Sequence, residues 1–170
     1  MRFDRRSWRW FDGRSWSLML LLALLMASAV EAQDDDADPS ELAEDVVRFA
    51  VVVHVDNPLE SLEAEKIARM FLGRTSRWPD WEDGPAVVPI DQVKESRVRA
   101  IFSEEIHGKD VDKIIKWWYR QIYSGRGKPP DEVADDSEVL QRVAESEGGI
   151  GYVDASSLPA EGVRELTVIP

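Results

Sequence analysis

The chain has 170 residues and a formal net charge of −12, from 33 acidic and 21 basic side chains, and it contains no cysteine. Without cysteine there can be no disulfide staple, no thiol catalysis and no lipid-anchored lipoprotein. The acidic surplus sets the chain against nucleic acid and anionic membranes, because like charges repel.

Residues 1–32 have the composition of a secretory signal peptide. Arg2, Arg5, Arg6, Arg9 and Arg14 precede the apolar run Leu18–Met26, and small residues follow at Ala27-Ser28-Ala29 and Val30-Glu31-Ala32. The apolar run is far shorter than the ~20 residues of a spanning helix. Cleavage after Ala32 would release a periplasmic or secreted chain with no stable membrane insertion. That chain would carry 16 basic and 30 acidic residues, a net charge of −14. Residues 33–45 form an acidic leader, expected to be a disordered, solvated linker. It lacks the ligand spacing and turn glycine of a calcium loop. Residues 46–170 are the size of one domain, large enough to bury roughly two-thirds of the unfolded surface.

The domain opens on Phe49-Ala50-Val51-Val52-Val53, an apolar run that suits a strand buried on both faces, as in a parallel sheet. Asp56-Asn57-Pro58 ends it. Ser61 or Glu60 then opens a helix over about 63–72, with Ile67, Met70 and Phe71 on one face and Gly73 beyond its end. The Trp78/Trp81 loop is expected to cover the sheet edge. Ala86–Ile90 reads as a second strand, followed by a loop over Asp91–Glu95. Ser96 caps a second helix whose apolar stripe is Val98, Ile101, Phe102 and Ile106. Asp110 caps a third, with Val111, Ile114, Ile115, Trp118 and Ile122 inward. The loop Ser124–Pro130 follows. Asp135 or Asp136 opens a fourth helix, with Val139, Leu140 and Val143 inward and a capping-box spacing at Asp135 and Glu138. Ile150–Val153 and Val163–Ile169 are the last strands. Such alternation predicts an α/β domain with a mostly parallel sheet and about four helices.

No catalytic fingerprint occurs, and the adjacent acidic pairs cannot face each other on a helix. His54 lies within an apolar strand and His107 beside a helix-ending glycine, both structural settings. No enzyme and no cofactor are therefore expected. Three places can hold a small anion. The first is Asp91–Arg97, where free N–H groups at a helix start combine with Ser96 and with Arg97 or Arg99. The second is the first helix start, near Asn57 and Ser61. The third is Ser124–Lys128, with two glycines, Arg126 and Lys128. Charges more than about 8 Å away are largely screened, so local donors outweigh the global charge.

The order Asn57-Pro58, Ser61-Leu62, Met70-Phe71-Leu72-Gly73-Arg74, Trp78, then Val87–Gln92 and Ile150-Gly151-Tyr152 resembles the periplasmic substrate-binding proteins of phosphate ABC transporters. It is most similar to their short, single-domain members. The resemblance spans about 46–166 and implies a single-lobe domain of the type II periplasmic-binding-protein fold. It implies phosphate or a related oxyanion as ligand and a role in phosphate transport or sensing. Ser96, Arg97, Asp91, Gln92, Asn57 and Ser61 are the binding residues to test. An ABC transporter permease or another envelope protein is the implied partner. Only Ser96 matches the Ser-Gly-Thr-like turn of the full-length phosphate binders. A second expectation is a module without ligand that contacts an envelope partner through Trp78/Trp81 or the acidic leader.

Overall fold

The computed structural model describes residues 48–170, and the expected signal peptide and acidic leader lie outside them. Six strands and four helices follow in the order β1 Phe49–His54, β2 Ser61–Glu63, α1 Ala64–Phe71, β3 Val88–Gln92, α2 Arg97–His107, α3 Val111–Tyr123, β4 Asp131–Val133, α4 Asp136–Ala144, β5 Gly149–Asp154 and β6 Val163–Ile169. A single 3₁₀ turn, Ala155–Ser157, joins the last two strands. The sheet order is β2-β6-β1-β5-β3-β4. The α/β expectation holds, with five strands running one way and β1 the other.

The reversal of β1 corrects the first strand's reading. It is buried on both faces as its composition predicts, yet it pairs antiparallel with both β5 and β6. Two-sided burial requires a layer on each face and does not dictate direction. Val51 and Val53 face α1 and α2, packing with Ile67, Phe71, Phe102 and Ile106. Val52 faces α4, packing with Val139 and Val143.

The apolar stripes of α1, α2 and α4 bury most of the residues their periodicity selects, while Ile101 and Leu140 stay partly exposed. At the centre of the first core, the Phe102 ring stacks on Tyr152 at 3.9 Å and 10°. Phe71 leans on Phe102 at 4.8 Å. Aromatic pairs of this kind contribute about 0.5–1.5 kcal/mol each beyond their buried area. Trp78 is 5% exposed and joins the same core, with half-buried Trp81 beside it at 6.3 Å. The sequence predicts cover for the sheet edge; Trp78 instead packs into the core.

Three helix starts are capped where the sequence places them. Ser96, Asp110 and Asp135 accept from the N–H groups of Arg99, Lys113 and Glu138 respectively. The first helix departs from expectation. Residues 61–63 form β2, paired parallel with Thr167–Ile169, so Ser61 does not open the helix. Glu63 occupies the cap position and makes no side-chain cap. The free edge of β6 offers hydrogen bonds that three extended residues can satisfy. Similarly, β4 forms from the polar run Asp131–Val133 by pairing with β3. Strands this short carry no readable period.

Helix α3 rests on the end of α1 through Leu72, Ile114 and Trp118. Ile122, expected inward, is 46% exposed, next to exposed Tyr119 and Tyr123. The bulky Trp118 makes the contact, and nothing among the described residues covers the final turn.

Gly151 lets α4 lie close on β5. A Cβ there would stand 2.5 Å from Val139 Cγ1 and 3.2 Å from Val143 Cγ2. Valine cannot swing away without leaving its rotamer. Gly151→Ala should destabilise the domain by about 1–3 kcal/mol, read as a lower urea midpoint at unchanged slope.

Candidate functional site

Asp91 and Gln92 end β3, two positions beyond the expected strand, and both are buried. The Asp91 carboxylate lies 2.9 Å from Arg99 Nη2. It accepts from the Gln92 N–H at 2.9 Å and from the Tyr152 hydroxyl. The other guanidinium nitrogen of Arg99 lies 2.7 Å from Glu132 and also donates to the Gln92 carbonyl. The Gln92 amide donates to Asp136 at 2.7 Å and to the Tyr152 carbonyl at 3.0 Å. Ser96 Oγ donates to Gln92 Oε1 at 2.6 Å and accepts the Arg99 N–H at 3.1 Å. Asp136 also accepts the Asp154 N–H and the Ser157 hydroxyl.

Burial pushes the Asp91 carboxyl above its ordinary value, against the pull of Arg99, Tyr152 and the Gln92 N–H. Burial also opposes the Arg99 charge, but Asp91 and Glu132 outweigh it and leave the pKa raised. Burial and neighbouring Asp91 push the Tyr152 hydroxyl up, so it remains a protonated donor. Arg97 is exposed at the helix start. Its charge adds a small downward pull on Asp154, whose carboxyl is lowered mainly by the N–H and hydroxyl of Ser156.

Asp91, Gln92, Ser96 and Arg99 thus form one hydrogen-bonded unit with Tyr152, Glu132 and Asp136. Its side chains satisfy one another, and three of its members are carboxylates. Asn57 and Ser61 lie elsewhere. Asn57 follows the far end of β1, where it accepts the Leu59 N–H at 3.0 Å and its carbonyl receives Arg164. Ser61 lies on β2, four strand positions from β3, or roughly 19 Å at about 4.8 Å per step.

Positive charge gathers at the third place. Of the 16 basic residues in 48–170, seven line two neighbouring clefts that share Leu72, Arg74 and Trp117: Arg74 after α1, Lys109 before α3, Lys113 (paired with Asp110 at 2.7 Å), Lys116 and Arg120 on α3, and Arg126 and Lys128 in the following loop. A cleft of about 340 Å³ runs between Leu72–Arg74, Trp117, Trp118, Gln121 and Arg126–Lys128. The Arg74 guanidinium lies 5.5 Å over the Trp117 ring. Gly125, at φ +67°, turns the loop back so that its N–H and that of Arg126 satisfy the Ile122 and Gln121 carbonyls. The N–H groups of Gly127 and Lys128 have no hydrogen-bond partner among the described residues. Cations past a helix end are favoured on general grounds. That rule accounts for Arg74 and Arg126 but not for Lys128, nor for their convergence on one cleft. The sequence singled out Arg126, Lys128 and their glycines. It missed Arg74 and Trp117, which reach the cleft only because α1 packs on α3. The density of Lys and Arg over 109–128 was the available signal.

His107 is a structural residue, edge-on to Phe102 at 5.5 Å with its Nδ1 buried and unpaired. Burial lowers its pKa from 6.5 to about 4, with Lys109 and Arg99 adding to the effect. No group of three potential metal ligands occurs among the described residues.

No protein-family model and no curated protein matches the sequence. Solved structures do match the fold. An ABC-type phosphate transport receptor from Vibrio cholerae is 15% identical at a TM-score of 0.56, over 72% of this chain and 46% of its own. A protein described as a phosphate ABC transporter substrate-binding protein, solved with bound phosphate, from Clostridium perfringens is 18% identical at 0.55, over 71% of this chain and 44% of its own. PstS from Borrelia burgdorferi is 14% identical at 0.54, over 72% and 47%. The chain spans less than half the length of these proteins. Its fold is that of phosphate-binding proteins, as the sequence resemblance implied.

Two outcomes test the buried groups. Arg99→Met leaves Asp91 buried beside no cation and should cost about 3–5 kcal/mol in denaturant unfolding. For His107, the unfolded state takes up a proton below pH 6.5 and the folded state only below about 4. Stability should therefore fall as pH drops through that window, by up to about 3 kcal/mol. His107→Gln should flatten this slope. Asp91, with its raised carboxyl, slopes the opposite way, so the difference between the two proteins' curves isolates His107.

Proposed function

We propose that this chain is a secreted solute-binding-like protein for phosphate or a related small oxyanion, acting in phosphate ABC transport or phosphate sensing. The carrying observation is the basic cleft of Arg74, Arg126 and Lys128 with the free N–H groups of Gly127 and Lys128. Three cations and two backbone donors suit a small oxyanion. They do so in a domain whose other charged residues are mainly acidic. The fold shared with phosphate-binding proteins supports binding rather than catalysis. The Ser96–Arg97 helix start remains the other candidate, but its side-chain partners are engaged internally and carboxylates flank it. Residues 1–32 would direct export, and no described helix is long and apolar enough to cross a membrane. An ABC permease is the partner this reading implies.

A second reading is an envelope protein–protein interaction module. The acidic leader lies outside the described residues, and burial of Trp78, with Trp81 half-buried beside it, speaks against the tryptophan loop as the module's contact. The exposed Tyr119, Ile122 and Tyr123 at the end of α3 favour it instead.

Thermal unfolding with phosphate, against sulfate at equal ionic strength, separates the two. At a hundredfold excess over Kd, binding adds about 2.7 kcal/mol, a rise of about 10 °C for this size. Arg126→Ala with Lys128→Ala should abolish the rise. Ser96→Ala should cost about 1 kcal/mol of stability and leave the rise intact. No rise at millimolar phosphate would sink the oxyanion reading. Loss of the rise in Ser96→Ala alone would move the site to the α2 start.

A further inference from the structure

The basic cleft adjoins a second cavity of different character. A pocket of about 290 Å³ shares Gly73, Trp118 and Lys128 with it. Beyond these, its walls include Met70, Val88, Pro129 and Pro130. Trp118 is 6% exposed and Val88 is 39% exposed, so the pocket has a packed aromatic wall and an uncovered aliphatic one. The two cavities differ in chemistry and share the walls Gly73, Trp118 and Lys128, with charge on one side and apolar surface on the other.

From this juxtaposition we infer that the site takes an amphiphilic anion, a phosphate or phosphonate head carrying a compact apolar body, in preference to the bare inorganic ion. This rests on the oxyanion reading of the basic cleft and specifies its ligand class. The head lies among Arg74, Arg126 and Lys128. The body lies against Trp118 and the two prolines and covers Val88. An inorganic ion leaves that apolar surface in water, whereas an attached ring removes it, and burial of apolar area is favourable. Asp131 also borders the apolar pocket, so the body carries no second negative charge.

Calorimetric titration of the protein with inorganic phosphate, phenylphosphonate and benzyl alcohol tests this. Phenylphosphonate should bind at least roughly tenfold more tightly than phosphate, and benzyl alcohol only weakly. Val88→Asn, at an exposed position, should bring phenylphosphonate down to the affinity of phosphate and leave phosphate unchanged. Arg126→Ala should weaken both anions. If phosphate binds and phenylphosphonate binds no tighter, the inference falls and the oxyanion reading stands. If neither anion binds, both fall. Tight phenylphosphonate binding that is indifferent to Val88→Asn would overturn the assignment to this pocket. Benzyl alcohol binding as tight as phenylphosphonate would show that the head is not engaged, and would overturn it as well.

Discussion

A carboxylate buried at the end of β3 cannot stand alone, and much of this domain is arranged around that requirement. Removing an ion from water costs several kcal/mol unless a counter-charge and hydrogen bonds replace the lost solvation. Asp91 obtains the counter-charge from Arg99 on α2 and a hydrogen bond from Tyr152 on β5. Arg99 in turn reaches Glu132 on β4, and Gln92 reaches Asp136 at the start of α4. One node therefore ties three strands to two helices. Because Tyr152 also stacks on Phe102, the polar node and the aromatic core share a residue. A shift of α2 would disturb both.

That node also bears on the reading of the α2 start as an anion site. The start of α2 has the helix N-terminus, hydroxyl and arginine that anion sites use, but in the folded chain those side chains hold the sheet end together. Positive charge is concentrated around Trp117 instead, where α1, α3 and the Gly125 turn converge. In an acidic protein this separation serves two ends. The surplus of carboxylates keeps the surface soluble. The cleft cations Arg74, Arg126 and Lys128 act locally, because acids more than about 8 Å away are largely screened.

Likeness to the phosphate-binding proteins is a likeness of backbone, at 14–18% identity over less than half of their length. A fold carries no ligand by itself. The cleft and its apolar neighbour are properties of this chain's own side chains, and the functional reading rests on them.

Much was legible in the sequence because it is encoded locally. Apolar periodicity placed α1, α2 and α4, and capping chemistry placed the starts of α2, α3 and α4. The β-branched runs placed β1 and β6. The ordered Asn-Pro, Leu-Gly-Arg and Ile-Gly-Tyr elements pointed to the fold. Ser96 was legible as a cap for the same reason, and Arg126 with Lys128 as charge on a glycine turn. Tertiary structure alone decided the rest. The direction of β1 depends on which edges were free to pair. The strands β2 and β4 exist only because a neighbour offers hydrogen bonds to three extended residues. Asp91 and Gln92 became buried strand ends because Arg99 and Tyr152, distant in sequence, arrive to satisfy them. Arg74 and Trp117 joined Arg126 at one cleft because α3 packs on the end of α1. In each case the deciding partner lies far along the chain, and composition and spacing cannot register a contact that only packing creates.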